Sequence, residues 1–188
     1  MSERNEGKQT TKRINMLTAT AVMTAVICIL APMSIPIGPV PISLTNLAIF
    51  IALYILGWKM GTVSLILYIA LGAIGLPVFS GFTGGLAKFL GPTGGYIVGF
   101  IPMAVIAGLI IEKNSNKIVQ FVGNIAATAV LYAIGTAWFC FLMKSDVAAA
   151  LSACVIPFIP GDVIKIVIAM VFGPMIKKRL SKANVLPC

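Results

Sequence analysis

Long, nearly uninterrupted apolar runs divide this chain, separated by polar turns or by segments crowded with proline and glycine. The first run covers residues 14–31, about 18 residues and about 27 Å as a helix, enough to cross a bilayer core. It stops where Pro32 and Pro36 deny the backbone its donors. Residues 44–56 and 60–74 predict two shorter helices joined tightly at Gly57-Trp58-Lys59, and Trp58 with Lys59 suits a membrane interface. Both are short, so they either recruit neighbouring residues or thin the bilayer locally. Residues 93–111, 118–143 and 161–176 supply three further spans. The pattern predicts an all-α integral membrane protein, a bundle of six transmembrane helices. Residues 14–180 form the membrane domain, with tails at 1–13 and 181–188; the polar first twelve residues are expected to fray.

Three connectors break the pattern. Residues 32–43 hold four prolines and Gly38 with apolar residues between them, which excludes a helix yet is too hydrophobic for a solvated loop. Irregular backbone packed against protein is the expectation there. Residues 76–92 lie in a stretch with eight glycines between 72 and 95, and are expected to fold in as a loop. Residues 147–160 are apolar but too short to cross comfortably, which predicts a loop with two or three helical turns.

Composition agrees with a lipid solvent. With 59% hydrophobic and 10% charged residues, the chain has too little polar surface for a soluble domain, where roughly a quarter is charged. The net charge of +9 is distributed as a topology signal rather than a nucleic-acid footprint. Arg4, Lys8, Lys12, Arg13, Lys59, Lys113, Lys117, Lys177, Lys178, Arg179 and Lys182 fall on one side of a six-span arrangement. Lys88 and Lys144 fall on the other, and Lys165 lies within the last span. This bias places both termini in the cytoplasm and all three unusual loops on the outer side. A thirteen-residue charged region before a run long enough to span argues against a cleaved signal peptide. There is no histidine, and Cys28, Cys140, Cys154 and Cys188 form no C-x-x-C pair, so a zinc or haem site is not expected. Cys188 is the last residue, which rules out a prenylation box.

Few residues offer chemistry. Asp162 and Lys165 stand three apart, on one helix face, at the outer end of an otherwise apolar span. Ionisable groups at such depth usually face a polar cavity or each other. Two readings are open: a ligand site in which Asp162 accepts N–H groups and Lys165 donates to oxygen, or a helix cap beside a snorkelling lysine. Lys88, after the glycine-rich run containing Gly84 and Gly85, is either a partner for an anionic substrate group or an interfacial lysine. Asn124, inside the fifth span, serves an interhelical hydrogen bond or a ligand contact. Gly91, Gly95 and Gly99 have small-xxx-small spacing, the first two serving the turn; Ala21 and Ala25 form a similar strip on the first span. The pattern G-x-x-x-x-G-K-[ST] is absent, so the chain should not hydrolyse ATP itself. No nucleophile–base–acid arrangement is visible, and the spans lack the polar lining of a channel.

Several segments, in their order, resemble the BioY family, the biotin-specific S components of energy-coupling factor (ECF) transporters. They are Ile37-Gly38-Pro39-Val40-Pro41-Ile42-Ser43-Leu44, Gly75-Leu76-Pro77-Val78-Phe79, the run from Gly84 through Gly91-Pro92-Thr93-Gly94-Gly95-Tyr96, and Ile159-Pro160-Gly161-Asp162-Val163-Ile164-Lys165. The resemblance implies a six-helix S-component fold with biotin near the outer face under the first, third and fifth loops. Asp162, Lys165, Lys88, Thr45, Asn46, Phe79, Gly84, Gly85 and Tyr96 are then the candidate substrate contacts. Where glutamine would be expected in the family, this chain has Thr45, with Asn46 as a possible substitute. The strip of Ala21 and Ala25 resembles the A-x-x-x-A surface by which S components dock on a T component, and two cytoplasmic ATPase subunits would supply energy. No cofactor is implied; biotin is the substrate. Its ureido ring, apolar thiophane and carboxylate match a small apolar pocket with few polar groups. Asp162 would accept a ureido N–H and Lys165 would donate to the ureido oxygen. Lys88 or backbone N–H groups of the first loop would meet the carboxylate. An S component for another vitamin, such as thiamin or riboflavin, is the alternative within the class. A membrane enzyme is disfavoured because no histidine or acidic cluster is present.

Overall fold

The computed structural model describes residues 2–36 and 40–183, with side chains from residue 9 onward. Ile37, Gly38 and Pro39 of the first loop, and Cys188, lie outside the described residues. Helix α1 (Ser2–Leu30) runs without a break into the first loop. The fraying expected over the first twelve residues is therefore corrected: no proline precedes Pro32, and helix propagates back from the apolar run.

The first loop is more regular than its prolines imply. Strands β1 (Ser34–Ile35) and β2 (Ile42–Ser43) pair antiparallel, with Ser34 opposite Ser43 and Ile35 opposite Ile42. Pro36 and Pro41 stand just outside the paired residues, where a missing N–H removes no ladder bond.

Helix α2 (Thr45–Ala73) is two helices in one run. Gly57 interrupts it at φ 78°, ψ 176°, a conformation open essentially to glycine. The chain reverses there: a Cβ on Gly61 would stand 3.1 Å from Leu53 Cα, whereas eight residues of continuous helix span about 12 Å. The two arms, residues 45–56 and 58–73, are the pair of short helices that the sequence predicts around Gly57-Trp58-Lys59. Glu112 Oε2 accepts from Trp58 N at 3.4 Å across this turn.

Beyond α2 come the short α3 (Ala87–Leu90), α4 (Gly94–Lys113), α5 (Lys117–Met143) and α6 (Val147–Cys154). A 3-10 turn (Ile156–Phe158) then leads into α7 (Ile159–Lys182). Five stretches among the described residues are long and apolar enough to span, and one of these is the folded-back α2. Residues 147–160 carry the short helical turns expected of them.

Small residues and hydroxyls let the helices close together. Thr24 Oγ1 donates to Ser64 O at 3.3 Å and Ser64 Oγ to Thr20 O at 3.1 Å, stitching α1 to the second arm of α2. Gly173 on α7 abuts Tyr54, where a Cβ would meet Tyr54 Cβ at 2.5 Å. On α4, Gly99 faces Leu131 and Gly95 lies directly against Trp138. Gly95 thus serves helix packing rather than the turn, because α4 has already begun at Gly94. Asn124 makes the interhelical bond that was one of its two readings, donating to Tyr54 Oη at 3.3 Å.

Candidate functional site

The site grows from the first turns of α7. Ile159 opens the helix with Pro160 at its start, so Asp162 lies inside the helix rather than at its cap position. Its side chain makes no cap bond; three side-chain donors converge on it instead. Oδ1 accepts from Lys165 Nζ at 2.9 Å, the i, i+3 contact that the spacing dictates. Oδ2 accepts from Asn46 Nδ2 at 2.8 Å and from Tyr132 Oη at 2.6 Å. Asp162 is 3% exposed and Lys165 8%, so the pair is withdrawn from the surface and the snorkelling reading of Lys165 falls.

These groups stand on a small cavity with about 360 Å³ of atom-free space, its open mouth included. Val40, Pro41 and Ser43 of the first loop, Asn46, Tyr96, Phe100, Leu131, Tyr132 and Phe158 complete the wall with Asp162 and Lys165. The wall is apolar and aromatic on most sides, with its charge concentrated at one end. Among the described residues, Lys165 Nζ has Asp162 as its one protein partner, leaving N–H donors to offer an oxygen. A carboxylate has about four lone-pair sites, three are used, and one on Oδ1 stays open for an N–H. The cavity can therefore grip a ligand group that carries an oxygen acceptor beside an N–H donor.

The candidate residues divide into two sets. Asp162, Lys165, Asn46 and Tyr96 meet at the cavity. Tyr96 lies over Gly135, whose missing side chain makes room for the ring, and its hydroxyl reaches Cys154 O at 3.4 Å. Thr45 is 1% exposed with its hydroxyl 2.8 Å from Ser43 Oγ, so Asn46, not Thr45, is the polar residue of α2 on the wall.

The third loop supplies none of the described wall. Phe79 is 1% exposed and packs edge-on against Tyr68 and Phe89. Gly85 N donates to Gly72 O at 2.7 Å and ties the loop to the end of α2, while Gly84 lies against the Leu76 carbonyl at the loop's own start. Lys88 sits half-buried on α3, where burial lowers its ammonium below the ordinary lysine value. Ala21 and Ala25 are exposed and line an apolar groove with Thr24, Leu67, Ala70, Leu71 and Ile74.

Tyr132 escaped the sequence reading. The signal was present: Asn124, Thr128, Tyr132 and Thr136 recur every fourth residue along α5, a polar stripe on one helix face.

A membrane helical bundle that buries a carboxylate–ammonium pair at the end of a mainly apolar cavity defines a protein built to hold a small, polar-headed solute. Comparison with known proteins makes this specific. The chain belongs to the BioY family, whose family model matches residues 3–182. It is 38% identical over 165 residues to the biotin transporter BioY of Thermotoga maritima, covering 88% of this chain and 97% of that one. It is 34% identical over 173 residues to biotin transporter BioY2 of Lactococcus lactis, covering 92% and 95%. The fold matches a crystal structure of the S-component for biotin from an ECF-type ABC transporter with a TM-score of 0.83 and 34% identity. That match covers 89% of this chain and 93% of the other.

Proposed function

We propose that this protein is the biotin-binding S component of an ECF-type transporter, capturing biotin at the outer face of the cell membrane for delivery inward. The observation that carries this, within a BioY-family fold, is the buried Asp162–Lys165 pair held by Asn46 and Tyr132 at one end of the cavity. A cyclic urea offers an N–H and a carbonyl oxygen side by side, which matches the open lone pair of Asp162 and the free donors of Lys165. The thiophane and tail then lie against Phe100, Leu131 and Phe158. For the carboxylate, the two partners offered by the sequence are Lys88 and the backbone N–H groups of the first loop; titration of Lys88→Gln separates them.

The reversal at Gly57 supports six spans rather than five, and the positive-inside bias then favours two cytoplasmic termini. The chain contains no phosphate-binding G-x-x-x-x-G-K-[ST] run, so energy is assigned to two separate ATPase subunits acting through a T component. Ala21 and Ala25 are assigned to docking on that component. The test is calorimetric titration of ligand-free protein in detergent with biotin, thiamin and riboflavin. One-to-one binding of biotin alone is expected. Binding of a different vitamin, or of none to demonstrably folded protein, overturns the assignment.

A further inference from the structure

Behind the cavity, on the far side of Asp162 and Tyr132, lies a second hollow between α5 and α7. It is lined by Ile125, Thr128, Ala129 and Tyr132 from α5, and by Ile159, Asp162, Val163 and Ile166 from α7. Each set has i, i+3, i+4, i+7 spacing, so two helix faces meet along a shallow seam. The hollow contains about 490 Å³ of atom-free space, its open side included. Ile125 and Ile159 on its rim are 40% and 47% exposed, so it faces outward between the helices. Tyr132 and Asp162 line both this hollow and the ligand cavity, and the 2.6 Å bond between them closes the gap.

We infer that Tyr132 is a specificity-determining residue: its ring is the partition that ends the site at the Asp162 side and limits what a ligand can carry there. This rests on the biotin reading of the cavity. If the ureido nitrogen meets Asp162 Oδ1, a substituent on that nitrogen is carried to the Asp162 carboxylate, beside the Tyr132 ring bonded to its other oxygen. The aromatic ring excludes it by volume, while the hydroxyl holds Asp162 in register. The two roles are separable, because phenylalanine keeps the ring and loses only the bond.

The experiment titrates biotin, N-methylbiotin and N-propylbiotin, each substituted on a ureido nitrogen, against wild type, Tyr132→Ala and Tyr132→Phe in detergent. The readout is the affinity ratio between the methyl and propyl compounds, in which the shared loss of the N–H cancels. Wild type should prefer methyl by about tenfold or more, since packed pockets discriminate added methylenes on that scale. Tyr132→Ala should bring the ratio near one, by joining the cavity to the hollow. Tyr132→Phe should keep the wild-type ratio while weakening biotin itself. Should Tyr132→Ala not fold, Tyr132→Leu takes its place, and a reduced ratio is expected. A ratio unchanged by removal of the ring, with biotin still bound, overturns the inference alone. Failure of biotin to bind wild type overturns the reading beneath it.

Discussion

Replacing Asp162 by asparagine changes one atom and one charge, and the surrounding geometry fixes what must follow. In the native protein Oδ2 receives Asn46 and Tyr132 while Oδ1 receives Lys165. The carboxamide has a single acceptor atom. If its NH2 took the place of Oδ1, it would face the Lys165 ammonium, donor against donor. The arrangement that leaves Lys165 an acceptor puts NH2 at the Oδ2 position, with Asn46 flipped and the Tyr132 hydroxyl turned to accept, so that both give up the acceptor they have in the native protein. The remaining oxygen then serves Lys165 and the ligand, but it is no longer charged. The neutral bond that remains contributes about 0.5–1.5 kcal/mol where the charged one contributed about 1.5–3, so biotin affinity should fall by about 1–1.5 kcal/mol, or about fivefold to about 13-fold.

Stability should fall as well. Lys165, 8% exposed, would retain an ammonium without its counter-ion, and breaking a buried pair this way costs about 3 kcal/mol. Adding Lys165→Met removes the orphan charge, so the double variant should regain thermal stability over Asp162→Asn without regaining affinity. Calorimetric titration and detergent thermal melts read the two quantities separately. An Asp162→Asn protein that melts normally and binds biotin within about twofold of wild type would refute the chain of reasoning from Oδ1 to the ligand.

Gly57→Ala should destabilise by about 1–3 kcal/mol, because φ 78° with ψ 176° is closed to a side chain; an unchanged melting temperature would show that the turn relaxes freely. Ala21→Trp with Ala25→Trp should leave biotin titration unchanged in detergent and abolish biotin uptake by cells, and persistent uptake would move the docking surface elsewhere. Burial lowers the Lys88 pKa, so the folded protein binds this proton less tightly than the unfolded chain. The resulting cost is fully present at neutral pH and fades as pH rises through the lowered value toward 10.5. Lys88→Met should therefore melt higher than wild type at pH 7, with the gap narrowing in alkaline buffer; a gap independent of pH argues against burial as its cause.

Helix positions were legible because span length and apolar run length are the same quantity in a bilayer: α4 and α5 begin and end within about two residues of their hydrophobic runs. The Asp162–Lys165 pair was legible because both residues share one helical turn, which spacing alone determines. What joins them was legible only in part, since the sequence reading names Asn46 as a candidate contact but not as a partner of Asp162, and does not name Tyr132. Asn46 and Tyr132 lie 116 and 30 residues away from Asp162, and only the packing of α2 and α5 against α7 brings them in. A tyrosine in an apolar span reads as core unless the four-residue polar stripe is noticed. The glycines of the third loop have a local role that spacing alone does not show. They look like close-approach points for a ligand, and in the structure Gly84 approaches the backbone of Leu76 at the loop's start while Gly85 approaches Gly72 of α2.

The ion pair itself argues for function over architecture. Buried pairs seldom outperform hydrophobic residues of similar volume, so a bundle selected for stability alone would gain little by keeping Asp162 and Lys165. Their placement separates two tasks. The Asp162–Lys165 contact is internal to α7 and survives any rigid movement of that helix. The bonds from Asn46 and Tyr132 cross to α2 and α5, so they hold only while those helices keep their registry with α7. A shift of α7 would leave the charge pair intact but strip two of the three donors from Asp162. The carboxylate proposed to meet the ligand would then lose its fixed orientation without losing its charge. Under the proposed biotin reading, the grip on the ligand is in this way tied to helix packing, and loosening the bundle around α7 should weaken binding without any new repulsive contact.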